Sequence, residues 1–151
     1  MEYITTSQDH EGCIFCDFPI ENNDVERLIL ARGKYCFVIL NAYPYNPGHL
    51  MVAPYRHTAE YDLLAPEEMT ELHMLGAKSI SVLKKVMAPQ GFNLGVNLGK
   101  VAGAGFDGHL HLHVVPRWNG DTNFMPAIAG VRVVAEALSA TYKKMKDAWD
   151  D

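Results

Sequence analysis

One heptapeptide constrains this chain more than any other feature: His109-Leu110-His111-Leu112-His113-Val114-Val115 alternates an imidazole with an aliphatic side chain. A period of two is that of a β-strand, in which successive side chains point to opposite faces. The reading predicts a strand over His109–Val115 ending at Pro116, with Leu110, Leu112 and Val114 in a core and the three rings on the other face, each about 7 Å from the next. Imidazoles held that close need hydrogen-bond partners. A solvated polar face is the bland explanation. Two sharper ones stand beside it: alternate histidines can ligate zinc, and one histidine oriented by another can act as a nucleophile or general base. The heptapeptide alone does not choose.

The rest of the chain supplies a sheet for that strand. Leu28–Ala31 and Tyr35–Leu40 are apolar and partly β-branched, separated by Arg32-Gly33-Lys34, which predicts a hairpin. The turn-rich segment Tyr43–Gly48 leads into a strand over His49–Ala53 that stops at Pro54. Met69, Leu72, Gly76, Ile80, Leu83 and Met87 recur at three- and four-residue steps, with Pro66 in the first turn and Pro89 just beyond, predicting a helix over Pro66–Val86. Phe92–Leu98 reads as a strand, Gly99–Gly108 as a glycine-rich connection and Val131–Met145 as a second helix. There is no βαβ rhythm, so the expected class is α+β: an antiparallel sheet of about five strands, one long helix and a C-terminal helix, the helices packed on one face. Residues 1–151 are expected to form one domain, with 1–27 as an N-terminal segment.

Charge and cysteine content narrow the partners. A net charge of −5 argues against a nucleic-acid polymer, whose binding needs clustered Lys and Arg. Met1–His10 lacks a basic flank followed by an apolar run, and no segment approaches the roughly 20 apolar residues of a membrane span, so neither export nor a membrane is expected. Three cysteines cannot form a complete disulfide set; Cys13-Ile14-Phe15-Cys16 reads as a pair of thiol ligands in a reducing compartment, and the cytoplasm is the expected location. Cys36 reads as a small buried hydrophobe, and His73 as a surface or dimer contact on the long helix. The three glycines and one lysine of Gly99–Phe106 suit an anion-binding nest or a plain loop.

His-x-His-x-His followed by two aliphatic residues resembles the signature of the histidine triad family of nucleotidyl hydrolases and transferases. The likeness extends to Pro47-Gly48-His49-Leu50-Met51-Val52-Ala53-Pro54 and to Asn97-x-Gly99, and so over nearly the whole chain. It implies that His111 attacks an α-phosphorus and carries the nucleotidyl group as a phosphoramidate, with His113 and His49 orienting it and contacting phosphates. A neutral imidazole with a pKa near roughly 6.5 suits that role. The resemblance further implies phosphate binding by Gly103, Gly105 and Phe106, although many family members have a glutamine and a serine or threonine where this chain has Gly105 and Phe106. Asn41 is placed as a ribose contact and Asn97 as an amide near the phosphates, each otherwise a turn or capping residue. Trp118 is placed at the border of the site.

Pro116–Met125 resembles the diadenosine tetraphosphate phosphorylase branch. That implies inorganic phosphate as acceptor, giving ADP and ATP; the alternatives are a water-using dinucleoside polyphosphate hydrolase, a nucleoside phosphoramidase, or, in another class, a nucleotide-binding module with weak turnover. A zinc hydrolase ligated by all three triad histidines is a further alternative. By the same resemblance Cys13, Cys16, His57 and His109 form a four-ligand set for structural zinc, with no open position for water and no organic cofactor. The family also implies a homodimer.

Overall fold

The computed structural model describes residues 12–105, 108–121 and 131–151, the side chains of 131–136 excepted. Its centre is a five-stranded antiparallel sheet in the order β1-β2-β3-β5-β4, formed by β1 (Ile29–Arg32), β2 (Cys36–Leu40), β3 (Leu50–Pro54), β4 (Gly91–Val96) and β5 (Leu112–Arg117). Around it lie α1 (Ile14–Glu21), α2 (Asp24–Arg27), α3 (Pro66–Met87) and α4 (Val131–Trp149).

β2 and β3 are the near-continuous apolar runs CFVIL and LMVAP, and all ten residues are buried. An antiparallel strand with one wet face would alternate; runs like these belong to strands covered on both sides. On one side Leu30, Val38, Leu40, Leu50, Val52, Leu112 and Val114 pack beneath Leu72, Val82 and Leu83 of α3 and Tyr142 and Met145 of α4. On the other, Ile29, Phe37, Ile39, Met51 and Ala53 meet Cys13, Ile14 and Phe15 at the start of α1. The expectation of helices on one face thus holds for α3 and α4 only. α1 covers the opposite face, although it contains Pro19 and lacks a side-chain cap; burial of Ile14 and Phe15 holds it there, and local propensity gave no sign of it.

Register brings the chemistry to one place. Leu40, Leu50, Val114 and Leu94 form a row across four strands, and His113 stands opposite both Met51 and Gly95. Residues directly opposed share a face, so His113 lies on the α1 side with Met51, and so does His49, two residues before Met51. Gly48 makes that entry possible. Its φ is +83°, and a Cβ there would fall 2.7 Å from Met87 Sδ and 3.0 Å from a Leu83 methyl.

Two boundaries depart furthest from the sequence expectation, beside a β4 that ends at Val96 rather than Leu98. The triad strand begins at Leu112 and runs through Pro116 to Arg117, so His109 and His111 lie in the lead-in; the Leu110 N–H donates to the Thr58 carbonyl of the segment after β3 (2.8 Å). Alternation nevertheless persists through the lead-in, with Leu110 in the helix-side core. α4 continues to Trp149 beyond the expected Met145.

Candidate active site and metal centre

Four histidines form a connected chain on the α1 side. The His49 and His113 rings meet through Nε2 and Nδ1 (2.9 Å), and the His113 ring stands edge-on to His111 with centroids 4.7 Å apart. His111 Nδ1 lies 2.9 Å from the His109 carbonyl. His49 and His109 are fully buried and His111 is 8% exposed. Burial, reinforced by the neighbouring rings, pushes His49 to about 3 and His113 to about 4, and burial lowers His111 as well. All three are neutral at pH 7.

Neutrality makes the proton positions deducible, because a backbone N–H can only donate and a carbonyl can only accept. The Tyr45 N–H points at His49 Nδ1 (3.1 Å), joined by the Asn41 amide nitrogen (3.4 Å). His49 Nδ1 is therefore the bare nitrogen, and its proton sits on Nε2, donating to His113 Nδ1. His113 then carries its own proton on Nε2, as an available donor. His111 Nδ1–H donates to the His109 carbonyl, which leaves its Nε2 as an unprotonated, nucleophilic nitrogen.

Two aromatic rings that sequence reasoning passed over frame this chain. Phe15, 1% exposed, stacks on His111 at 4.7 Å and 26° and contacts His109 at 5.3 Å. Tyr45, 69% exposed, lies over His49 at 5.0 Å and 19°. The signal for Phe15 was its place inside Cys13-x-x-Cys16; Tyr45 had none beyond belonging to the turn.

The second centre is next door. Cys13, Cys16, His57 and His109 put one ligand atom each within 4.8 Å of all the others. His109 Nδ1 is 3.3 Å from Cys13 Sγ, 3.6 Å from Cys16 Sγ and 3.3 Å from His57 Nδ1, and Cys16 Sγ is 3.5 Å from His57 Nδ1. For tetrahedral zinc with Zn–N near 2.05 Å and Zn–S near 2.3 Å, the N···N and N···S edges are about 3.3 Å and about 3.5 Å. These four edges match, so the donor set can hold a metal ion. The tautomer of His109 fits too: its Nε2 donates to the Pro54 carbonyl (2.7 Å), leaving Nδ1 bare and aimed at the thiols, as a metal-bound imidazole requires. Arg56, next to His57, is anchored by two contacts to buried Glu68 on α3 (2.8 and 3.1 Å). Without a metal, burial pushes the Cys13 thiol up to about 12.

The remaining sequence-predicted residues are less united. Asn41 is buried against His49, and its Oδ1 accepts the Tyr43 N–H (2.9 Å), so it serves the turn as well as the site. Asn97 is half-buried after β4, and Gly103 and Gly105 are exposed on the loop beyond the short turn at Lys100–Ala102. Phe106 lies outside the described residues. Trp118 is half-buried, held through its main-chain N–H to Asp121 (3.0 Å).

Known proteins resemble this chain in sequence and fold. A protein named AP-4-A phosphorylase from Mycobacterium tuberculosis is 47% identical over 135 residues, 89% of this chain and 69% of that protein. The asymmetrical bis(5'-nucleosyl)-tetraphosphatase of Schizosaccharomyces pombe is 31% identical over 71% of this chain and 56% of its own length. Among solved structures, a zinc-bound histidine triad protein from Mycobacterium smegmatis superposes with a TM-score of 0.65 at 27% identity, over 91% of this chain and 98% of that one. A histidine triad nucleotide-binding protein from Sulfolobus tokodaii gives 0.74 at 26% identity, over 91% and 92%. The HIT domain model matches residues 22–120; the chain belongs to the histidine triad family.

Proposed function

We propose that this protein is an enzyme acting on phosphoanhydride bonds that cleaves a dinucleoside polyphosphate such as diadenosine tetraphosphate by way of a nucleotidyl-His111 intermediate, with inorganic phosphate as the acceptor. The observation that carries the reading is the His111 Nδ1 to His109 carbonyl hydrogen bond (2.9 Å), which leaves Nε2 free to attack. Nε2 forms a bond to the α-phosphorus as the bond to the bridging oxygen breaks, releasing ATP. The His113 Nε2–H, left available by the His49 contact, is the proposed donor to that charge. A phosphate oxygen then displaces His111, giving ADP. Dividing one displacement into two is the usual gain of covalent catalysis.

The choice of acceptor is supported by the M. tuberculosis relative, whose name is that of a phosphorylase. The second reading, a hydrolase, is favoured by the name of the S. pombe relative. Product analysis with diadenosine tetraphosphate separates them: ADP plus ATP formed only when phosphate is present supports the phosphorylase, whereas AMP plus ATP regardless of phosphate overturns it. Asn41, Asn97, Gly103, Gly105, Phe106 and Trp118 are proposed as the substrate contacts.

Zinc is proposed at Cys13, Cys16, His57 and His109, in a structural role that ties the start of α1 to the approach to β5. A zinc hydrolase ligated by the whole triad finds no support, because His109 directs its bare nitrogen to the thiols and commits its other nitrogen to the Pro54 carbonyl. A cytoplasmic homodimer completes the proposal; among the described residues no helix is long and apolar enough to cross a membrane.

A further inference from the structure

The turn carrying Tyr45 and His49 is fastened through Asn46, a buried residue. Its carbonyl accepts the His49 N–H (3.1 Å), and its amide nitrogen donates to the Pro116 carbonyl (2.9 Å) and to Asp121 Oδ2 (2.9 Å). Both acceptors are fixed in kind, so the amide cannot flip without setting its oxygen against a carbonyl and a carboxylate. Asp121, with only 8% of its side chain exposed, also accepts from Arg117 Nε (2.6 Å), Arg117 Nη2 (2.9 Å) and the Trp118 N–H (3.0 Å). Arg117 reaches on to Asn93 of β4 (2.6 Å). One carboxylate thus gathers the turn, the end of β5 and, through Arg117, the edge strand. It lies eight residues beyond His113 in sequence, with no contact to the histidines themselves.

We infer that Asp121, acting through Asn46, is a positioning residue for the His49–His113 pair. Asn46 follows the residue whose N–H meets His49 Nδ1 and itself holds the His49 N–H. Fixing Asn46 therefore fixes the approach of the Tyr45 N–H, and with it the direction in which protons run along the pair. Since Arg117 and the other donors hold the Asp121 carboxyl well below the usual carboxylate range, the clamp is constant across working pH. That this serves turnover rests on the nucleotidyl-His111 reading; the tautomer of His49 does not.

The test compares Asp121→Asn, Asn46→Ala, the double variant and Arg117→Ala, each examined by kcat and KM with diadenosine tetraphosphate, by melting temperature and by ¹⁵N NMR of the His49 ring. The wild type should show His49 with a bare Nδ1 and a protonated Nε2. Asp121→Asn and Asn46→Ala should mix the two tautomers and lower kcat about 10–100-fold with KM within about twofold, and the double variant should be no worse than the poorer single. Arg117→Ala leaves the Asn46–Asp121 bond in place and should lower the melting temperature while sparing the tautomer and kcat. If Asp121→Asn does not fold, Asn46→Ala decides the matter, since it spares the Asp121 bonds to Arg117 and Trp118. A His49 ring that keeps its wild-type tautomer in Asn46→Ala, or kcat losses that track melting temperature in all variants, would overturn the assignment. Absence of turnover in the wild type would refute the enzymatic reading alone, because the NMR comparison still stands.

Discussion

At the scale of the residue, the site is organised by which nitrogen of each imidazole is bare, and that is set by groups with no choice of role. His111→Ala is expected to abolish turnover, by about a thousandfold or more, while nucleotide binding measured by calorimetry survives; a variant retaining most of its rate would remove the covalent step. The pH dependence has a defined sign. His49 and His113 titrate near 3 and 4 in the fold but near 6.5 when unfolded. Between those values the unfolded chain binds protons that the native chain refuses. Stability from this source is complete above pH 6.5 and drains as pH falls toward 4 and on toward 3, on the order of several kcal/mol for the two rings together. Denaturant titrations at pH 7.5 and 4.5 should show that loss, and it should shrink in His49→Asn. The three triad histidines were legible in the sequence from their period of two, and Cys13 and Cys16 from their pairing, whereas His49 and His57 were singled out only through the family resemblance. Phe15, Asn46 and Asp121 were not, since a lone aromatic, amide or carboxylate acquires meaning only from what the fold sets beside it.

At the scale of the element, the long helix and the central strands were readable because each buries a regular apolar stripe or run. α1 was not: Pro19 and an uncapped start oppose it, and the burial of Ile14 and Phe15 that outweighs them is a tertiary effect. The beginning of β5 was misplaced for a related reason, as the pattern of alternation continues through His109 and His111 while ladder pairing starts only at Leu112. Cys13 and Cys16 of the four-ligand set flank and begin α1, so the test of the proposed metal belongs to this scale. Adding zinc to metal-free protein should release protons from the raised thiols, measurable in weakly buffered solution. Chelation should lower the melting temperature and expose the Cys13–Cys16 segment to alkylation before turnover is lost. Loss of turnover at the moment of chelation, with the fold intact, would instead place the metal in the chemistry.

At the scale of the whole molecule, the two edges of the sheet are treated differently. β1 is closed by α4, where the Tyr142 hydroxyl donates to the Ile29 carbonyl (2.9 Å) and Lys146 to the Leu30 carbonyl (3.1 Å). Among the described residues β4 pairs only with β5 and leaves Leu94 46% exposed, the kind of edge that invites a second strand. If the protein is a homodimer, this edge is where it forms: wild type should run as a dimer in light scattering at micromolar concentration and Leu94→Lys as a monomer, whereas a dimer indifferent to that change would place the interface elsewhere. His109, finally, belongs to both centres through different parts of itself, its ring facing the thiols and its carbonyl holding His111. A carbonyl is common to all twenty amino acids. The side chain at position 109 could therefore change without removing the carbonyl that holds the His111 proton, so on the proposed reading a descendant of this chain could lose the proposed metal and keep the proposed chemistry.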